Sequence, residues 1–329
     1  MSSTYTSHPA AKRVLPKAFS LPILLFGVAL VAVELLIGTQ VSEYYFLAAY
    51  VILQYVVLST GWNILGGYAG YVNFGTAGFF ALGCYTTIAL NNILPMPLPL
   101  SILAAGVVTG LLGLGTGYLT LRLRGVFFSI ATLALAVVLQ TLIVNWSFVG
   151  GARGAYVLRP DAMWPFASYV HYLLVLMTIL AVAAVLVAVA IERSWIGMGL
   201  AAIRDDEVAA EASGVPSLRL KLTATTISGA ILGMAGAPFP YLITYVDPPS
   251  AFSLALAVNA IAMPLIGGTA VWWGPVIGAI LLGTTQQVLT VTISSAANLL
   301  IVGVVLVVFV TVAPTGIVGM VRRFRKGRS

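Results

Sequence analysis

The chain has 329 residues, of which 60% are hydrophobic and 8% charged, with a mean hydropathy of +1.05. Soluble domains carry about a quarter charged residues, so a water-soluble fold of this composition could not cover its own surface. The formal charge of +7 does not point to nucleic acid, because the basic residues are spread between long apolar stretches.

Residues 1–19 are polar and basic and read as a cytoplasmic tail. Segments long enough to cross a bilayer, about 20 apolar residues each, then recur along the chain. They lie at 20–38, 44–64, 68–90, 98–120, 125–147, 170–191, 221–245, 251–267, 275–293 and 297–314. No small-residue cleavage site follows the first, which reads as a retained helix and not a signal peptide. The third is crowded with glycine and the eighth contains Pro264. The expected fold is an all-α membrane protein, a polytopic bundle of about ten transmembrane helices. Residues 20–320 form its membrane domain, 192–220 a cytoplasmic loop and 321–329 a basic tail.

Charge orients this scheme. Cytoplasmic loops retain Lys and Arg. Lys12, Arg13, Lys17, Arg122, Arg124, Arg193, Arg204, Arg219, Lys221, Arg322, Arg323, Arg325, Lys326 and Arg328 all fall on one side of the ten-span arrangement. Only Arg153 and Arg159, in the 148–169 loop, fall on the other. Both termini of an inner-membrane protein are thus expected in the cytoplasm. The basic excess on that side also attracts anionic lipid. Glycines four apart at 66/70, 106/110, 113/117, 229/233 and 274/278 are expected to let helices approach closely.

Chemistry is sparse. The single cysteine, Cys84, excludes an internal disulfide and a cysteine metal cluster. His8 and His171 give no ligand spacing, so neither a metal nor another cofactor is expected. No G-x-x-x-x-G-K-[ST] run is present to cradle a nucleotide and no H-E-x-x-H run to hydrolyse within the membrane. No catalytic residue is therefore assigned. Glu34 is the clear intramembrane acid, and its position near a span end suggests snorkelling to the interface. Gradient-driven carriers usually bury several such groups. This disfavours a secondary carrier or channel and favours a transporter driven by a separate motor. Within 192–220, Asp205, Asp206 and Glu207 mark a helix start and Gly214 with Pro216 a stop. A helix of about two turns is marginal in water alone, so it needs a surface to dock on.

Several runs carry a resemblance. They are GWNILGGYAGYVNFGTAGF at 61–79, RLRGVFFSIATL at 122–133, AIRDDEVAAEASG at 202–214 and GGTAVWWGPVIGA at 267–279. Together they resemble permease subunits of bacterial branched-chain amino acid ABC importers, in the same order over most of residues 44–320. The resemblance implies a pair of related permeases, homo- or heterodimeric, with two ATP-binding cassette subunits inside and a solute-binding protein outside. It implies an ATPase-coupling helix carrying Arg204, Asp205, Asp206, Glu207, Val208, Ala209, Glu211 and Gly214. Val208 between Glu207 and Ala209 departs by one residue from the family's Glu-Ala-Ala…Gly loop, and Ala270 stands where relatives often have glycine. Asn73, Thr76 and Thr132 lie in the matching runs and are translocation-path candidates. Helix-to-helix hydrogen bonding is the plainer use of such residues. Arg153 and Arg159 are candidates for docking the binding protein, set against a solvated loop that tolerates charge. Apolar amino acids are the expected cargo. Urea, short amides, sugars or nucleosides are the alternative within the same fold.

Overall fold

The computed structural model describes residues 17–37, 42–120, 122–123, 125–160 and 166–292, with short pieces at 303–304, 311 and 316–320. Most of the tenth expected span, 297–314, and of the two tails lies outside the described residues.

In lipid every backbone polar group must be satisfied within the protein, and helices do this within one segment. The first half runs α1 (Lys17–Ile37), α2 (Glu43–Gly66), α3 (Thr76–Ile93), α4 (Leu98–Thr120), α5 (Val126–Val144) and the short strand β1 (Ala155–Tyr156). Then follow α6 (Tyr169–Glu192), α7 (Trp195–Asp205), α8 (Glu207–Ala212), α9 (Ser217–Gly236) and α10 (Phe239–Ile243). Strand β2 (Tyr245–Val246), α11 (Pro248–Ala251), α12 (Leu254–Gly267) and α13 (Trp273–Thr292) complete the order.

Six described stretches are long and apolar enough to cross a membrane: Glu43–Gly66, Leu98–Thr120, Val126–Val144, Tyr169–Glu192, Ser217–Ile243 and Pro248–Gly267. Leu21–Leu36 is a shorter apolar helix. The described residues thus support a multi-pass helical membrane protein with six spans by length and composition, fewer than the ten expected. Helices α3 and α13 stand outside the six. The first carries Thr86, Thr87, Asn91 and Asn92, and the second Thr284, Thr285, Gln286 and Gln287.

Local departures have identifiable causes. The expected span 68–90 is helical only from Thr76, because Gly70 takes a left-handed φ of +77° and the Asn73 side chain bonds the backbone two residues on. Such side-chain bonds offer the chain an alternative to helix. The expected span 221–245 breaks after Gly236, where Pro238 and Pro240 remove backbone donors. Helix α12, by contrast, continues through Pro264.

Glycine sets the packing. Helices α4 and α9 meet along Gly106, Gly110 and Gly113 on one side and Gly229 and Gly233 on the other. A Cβ on Gly113 would lie 2.8 Å from the Thr225 carbonyl oxygen, and one on Gly233 would overlap the Thr109 side chain. Gly83 of α3 meets the backbone of Gly233, so three helices converge there. Gly274 and Gly278 of α13 likewise lie against the backbone of Gly268 and Met263. Gly66 and Gly70 do otherwise: the first faces Trp62 of its own helix, and the second sits in a turn against Arg204.

The bundle has two distinct ends. One holds α7, α8 and the turns 67–75 and 268–272 and is called here the basic end. At the other, β1 and β2 pair antiparallel, Ala155 opposite Val246 and Tyr156 opposite Tyr245, tying two loops into a ribbon.

Candidate functional site

At the basic end the chain leaves helix between α2 and α3. Unpaired backbone here must be satisfied inside the protein, and side chains from three helices do so. Trp62 Nε1 donates to the Asn73 carbonyl at 2.9 Å, and Thr76 Oγ1 donates to the same oxygen at 3.2 Å. Asn73 Oδ1 accepts from the Gly75 N–H at 2.7 Å. The Phe74 N–H donates to Thr132 Oγ1 at 3.1 Å, and Ser129 Oγ donates to the Val72 carbonyl at 2.9 Å. Asn73, Thr76 and Thr132 are thus brought together and buried, and each commits polar atoms to holding segment 67–75. Farther along the bundle, Gln286 Nε2 donates to Asn259 Oδ1 at 3.0 Å and Asn259 Nδ2 to Tyr55 OH at 3.2 Å, joining α13, α12 and α2.

The same segment is tied to its surroundings. Arg204 Nη1 donates to the Gly67 carbonyl at 3.2 Å, while its Nε lies 3.5 Å from Asp205 Oδ1. Glu192, the last residue of α6, accepts from Tyr68 OH at 3.3 Å and from the Trp272 N–H at 2.5 Å. Burial, reinforced by the Glu192 carboxylate, holds the Tyr68 phenol well above its usual range and keeps it a neutral donor. Asn63 Nδ2 reaches the Thr269 carbonyl at 3.1 Å, so the turns after α2 and α12 meet.

Helix α8 sits against this cluster. Asp206 is its N-cap, accepting from the Val208 and Ala209 N–H groups at 2.9 and 3.0 Å. Such a cap satisfies donors that a helix start leaves open. Gly214 ends the turn with φ +84°, a left-handed value that glycine takes at little cost. Arg204 and Asp205 belong not to this helix but to the end of the preceding helix α7, within the stretch expected to be a loop. Val208 is 61% exposed. Ala209, Glu211 and Ala212 are exposed with it, whereas Ala210 packs inward. On α7, Trp195 and Met198 add exposed apolar surface.

Glu207 turns the other way. Its Oε1 lies 2.6 Å from Lys221 Nζ and its Oε2 accepts from Tyr71 OH at 2.5 Å. Lys221 and Tyr71 were not singled out from sequence. They stand 14 and 136 residues from Glu207 in the chain, and no local spacing announces either partner.

At the ribbon end Arg153 is exposed on its loop. Arg159 is engaged. Its Nε donates to the Tyr241 carbonyl at 2.6 Å and a second nitrogen to the Leu242 carbonyl, capping the last turn of α10. The half-buried Glu34 faces α6, and its carboxylate accepts from Thr178 Oγ1 at 2.7 Å.

The described residues thus form a helical bundle with several apolar spans, broken backbone buried at one end and a short capped helix at that end. Residues 44–310 match the family described as "Branched-chain amino acid transport system / permease component". The chain belongs to this family. Among relatives, the "High-affinity branched-chain amino acid transport system permease protein LivM" of Salmonella typhimurium is 27% identical over 346 aligned positions, covering 95% of this chain and 81% of that protein. The protein of the same name from Escherichia coli is 27% identical, over 91% of this chain and 75% of its own length. The "Probable branched-chain amino acid transport permease protein LivH" of Methanocaldococcus jannaschii is 23% identical, covering 80% and 88% respectively. No solved structure matches. The chain is a non-catalytic, multi-pass inner-membrane permease component of an ABC importer.

Proposed function

We propose that the chain forms the membrane path for branched-chain amino acids as one of two related permeases, with two ATPase subunits on its basic end and a binding protein on its ribbon end. In this reading it spans the membrane ten times with both termini in the cytoplasm, as the segregation of Lys and Arg supports. The observation that carries the proposal is helix α8. It is six residues long, too short to hold itself in water. It is capped at both ends and presents Val208, Ala209, Glu211 and Ala212 outward beside Asp205 of α7, while Glu207 roots it in the bundle. A small apolar face ringed by charge suits a protein partner that covers it. Asn73, Thr76 and Thr132 belong to the path as the frame of segment 67–75.

Sidedness is testable in a Cys84→Ala background. A cysteine at position 152 is expected to react with an impermeant thiol reagent in intact cells, and one at 208 only after permeabilisation. Reversed labelling contradicts the assignment of both ends. Arg153, with its exposed side chain, is the contact proposed for the binding protein; Arg159 serves α10. Arg153→Ala is expected to weaken docking by about threefold, within the range of rim ion pairs, and to flatten its salt dependence. Docking that keeps both its affinity and its salt response excludes this contact.

A further inference from the structure

The ion pair at the root of α8 is nearly closed off from solvent: the Lys221 side chain is 4% exposed and that of Glu207 13%. Such a pair is costly to desolvate, and its net stabilisation is small against an apolar replacement of the same shape. Its geometry is what it fixes. Glu207 Oε1 meets Lys221 Nζ at 2.6 Å, Glu207 Oε2 meets Tyr71 OH at 2.5 Å, and Lys221 Nζ meets Tyr71 OH at 3.1 Å. The three bonds form a closed triangle between α8, α9 and segment 67–75. The ammonium also lies 4.8 Å from the centre of the Tyr71 ring. With both its oxygens held, Glu207 cannot swivel as a singly bonded side chain does.

From Tyr71 the connection continues without a slack element. Its ring packs edge-on against Phe128 of α5, with centroids 5.1 Å apart. The next residues, Val72 and Phe74, are bonded to Ser129 and Thr132 of the same helix. Asn73 holds the start of α3 through Thr76. By contrast, the link from Arg204 to the Gly67 carbonyl uses a side chain 34% exposed, where water competes for the bond.

We propose that the Glu207–Lys221–Tyr71 triangle is the strut that carries movement of α8 into segment 67–75, and so to the N-termini of α3 and α5. Lys221 and Tyr71 are positioning residues for coupling, touching neither solute nor ATPase. This rests on α8 being the ATPase seat. The strut predicts that its loss leaves the outer face of α8 intact, so the motor still binds and hydrolyses ATP while less of its movement reaches the helices.

The test uses the complete importer in proteoliposomes and measures ATPase binding, ATP hydrolysis and leucine uptake for each variant. Tyr71→Phe keeps the ring and removes two of the three bonds. It is expected to lower uptake per ATP hydrolysed by about tenfold, the scale of one buried charge-assisted hydrogen bond, with ATPase binding within about twofold. Glu207→Gln is expected to act in the same direction. Exchanging the charges, Glu207→Lys with Lys221→Glu, is expected to restore the ratio lost in either single reversal. A merely structural pair would lower assembled complex, uptake and hydrolysis together and leave the ratio unchanged; that result, or wild-type coupling in Tyr71→Phe, overturns the proposal. Val208→Asp separates the two readings. If it leaves ATPase binding intact, α8 is not the seat. If it abolishes binding while Tyr71→Phe couples normally, the strut alone is wrong.

Discussion

Gly233→Val is expected to remove most of the folded permease from the membrane. At Gly233 the backbone of α9 lies against Gly83 of α3 and against the side chain of Thr109 on α4, and any Cβ overlaps that side chain. Three helices would have to move apart, and a branched residue worsens the clash. Overpacking a tight core costs about 1–3 kcal/mol and sometimes more, against a total stability of about 5–15 kcal/mol. In lipid the loss bears directly on assembly, because close packing is a main force joining the helices. Gly115→Val on α4 is the matched control, since its Cβ would enter open space. Membrane abundance and thermal unfolding in detergent check the pair. Equal abundance and equal Tm for both variants would contradict the packing described for α3, α4 and α9.

The second large effect is expected at α8. Val208→Asp places a charge on the exposed apolar face, where docking would bury it beside Asp205 and Glu211. An unpaired buried charge costs several kcal/mol, so solute-stimulated ATPase activity and uptake should both fall more than about tenfold while membrane levels stay normal. Gly214→Val acts through the backbone alone. No atom lies within 4 Å of its added Cβ, but φ is +84°. A branched residue there costs about 1–2 kcal/mol, which a helix of six residues has little reserve to absorb. Weaker ATPase binding or a lower ratio of uptake to hydrolysis is the expected result. Wild-type hydrolysis and uptake in both variants would remove this loop from the mechanism.

How much of this was legible in the sequence depends on whether the cause is local. Apolar length announced the helical bundle, but the span expected over 221–245 runs through Pro238 and Pro240, where α9 has already ended. The acidic start and glycine stop of α8 could be read because capping acts within a few residues. Four-residue glycine spacing found real contacts at 106/110, 229/233 and 274/278, but not at 66/70, where the same pattern serves a turn. The roles of Asn73 and Thr132 were not legible. Their partners lie on other helices, and a buried polar residue looks the same whether it lines a path or holds a loop. The partners of Arg159 and Glu34 were hidden for the same reason, since the carbonyls of α10 and the hydroxyl of Thr178 are neighbours only after folding. Lys221 counted as one more basic residue of a loop. Its place beside Glu207 and Tyr71 comes from the packing of α9 and appears in no spacing along the chain.

The most direct measurement is a crosslink from α8 in the assembled importer. In a Cys84→Ala background, a cysteine at position 208 is modified with a photoactivatable maleimide and the complex irradiated in the membrane. The account predicts an adduct with an ATPase subunit from position 208, and none with that subunit from a cysteine at 152 on the ribbon-end loop. An ATPase adduct from 152, or its absence from 208 in a complex that still imports leucine, would contradict the assignment of α8 as the seat of the motor.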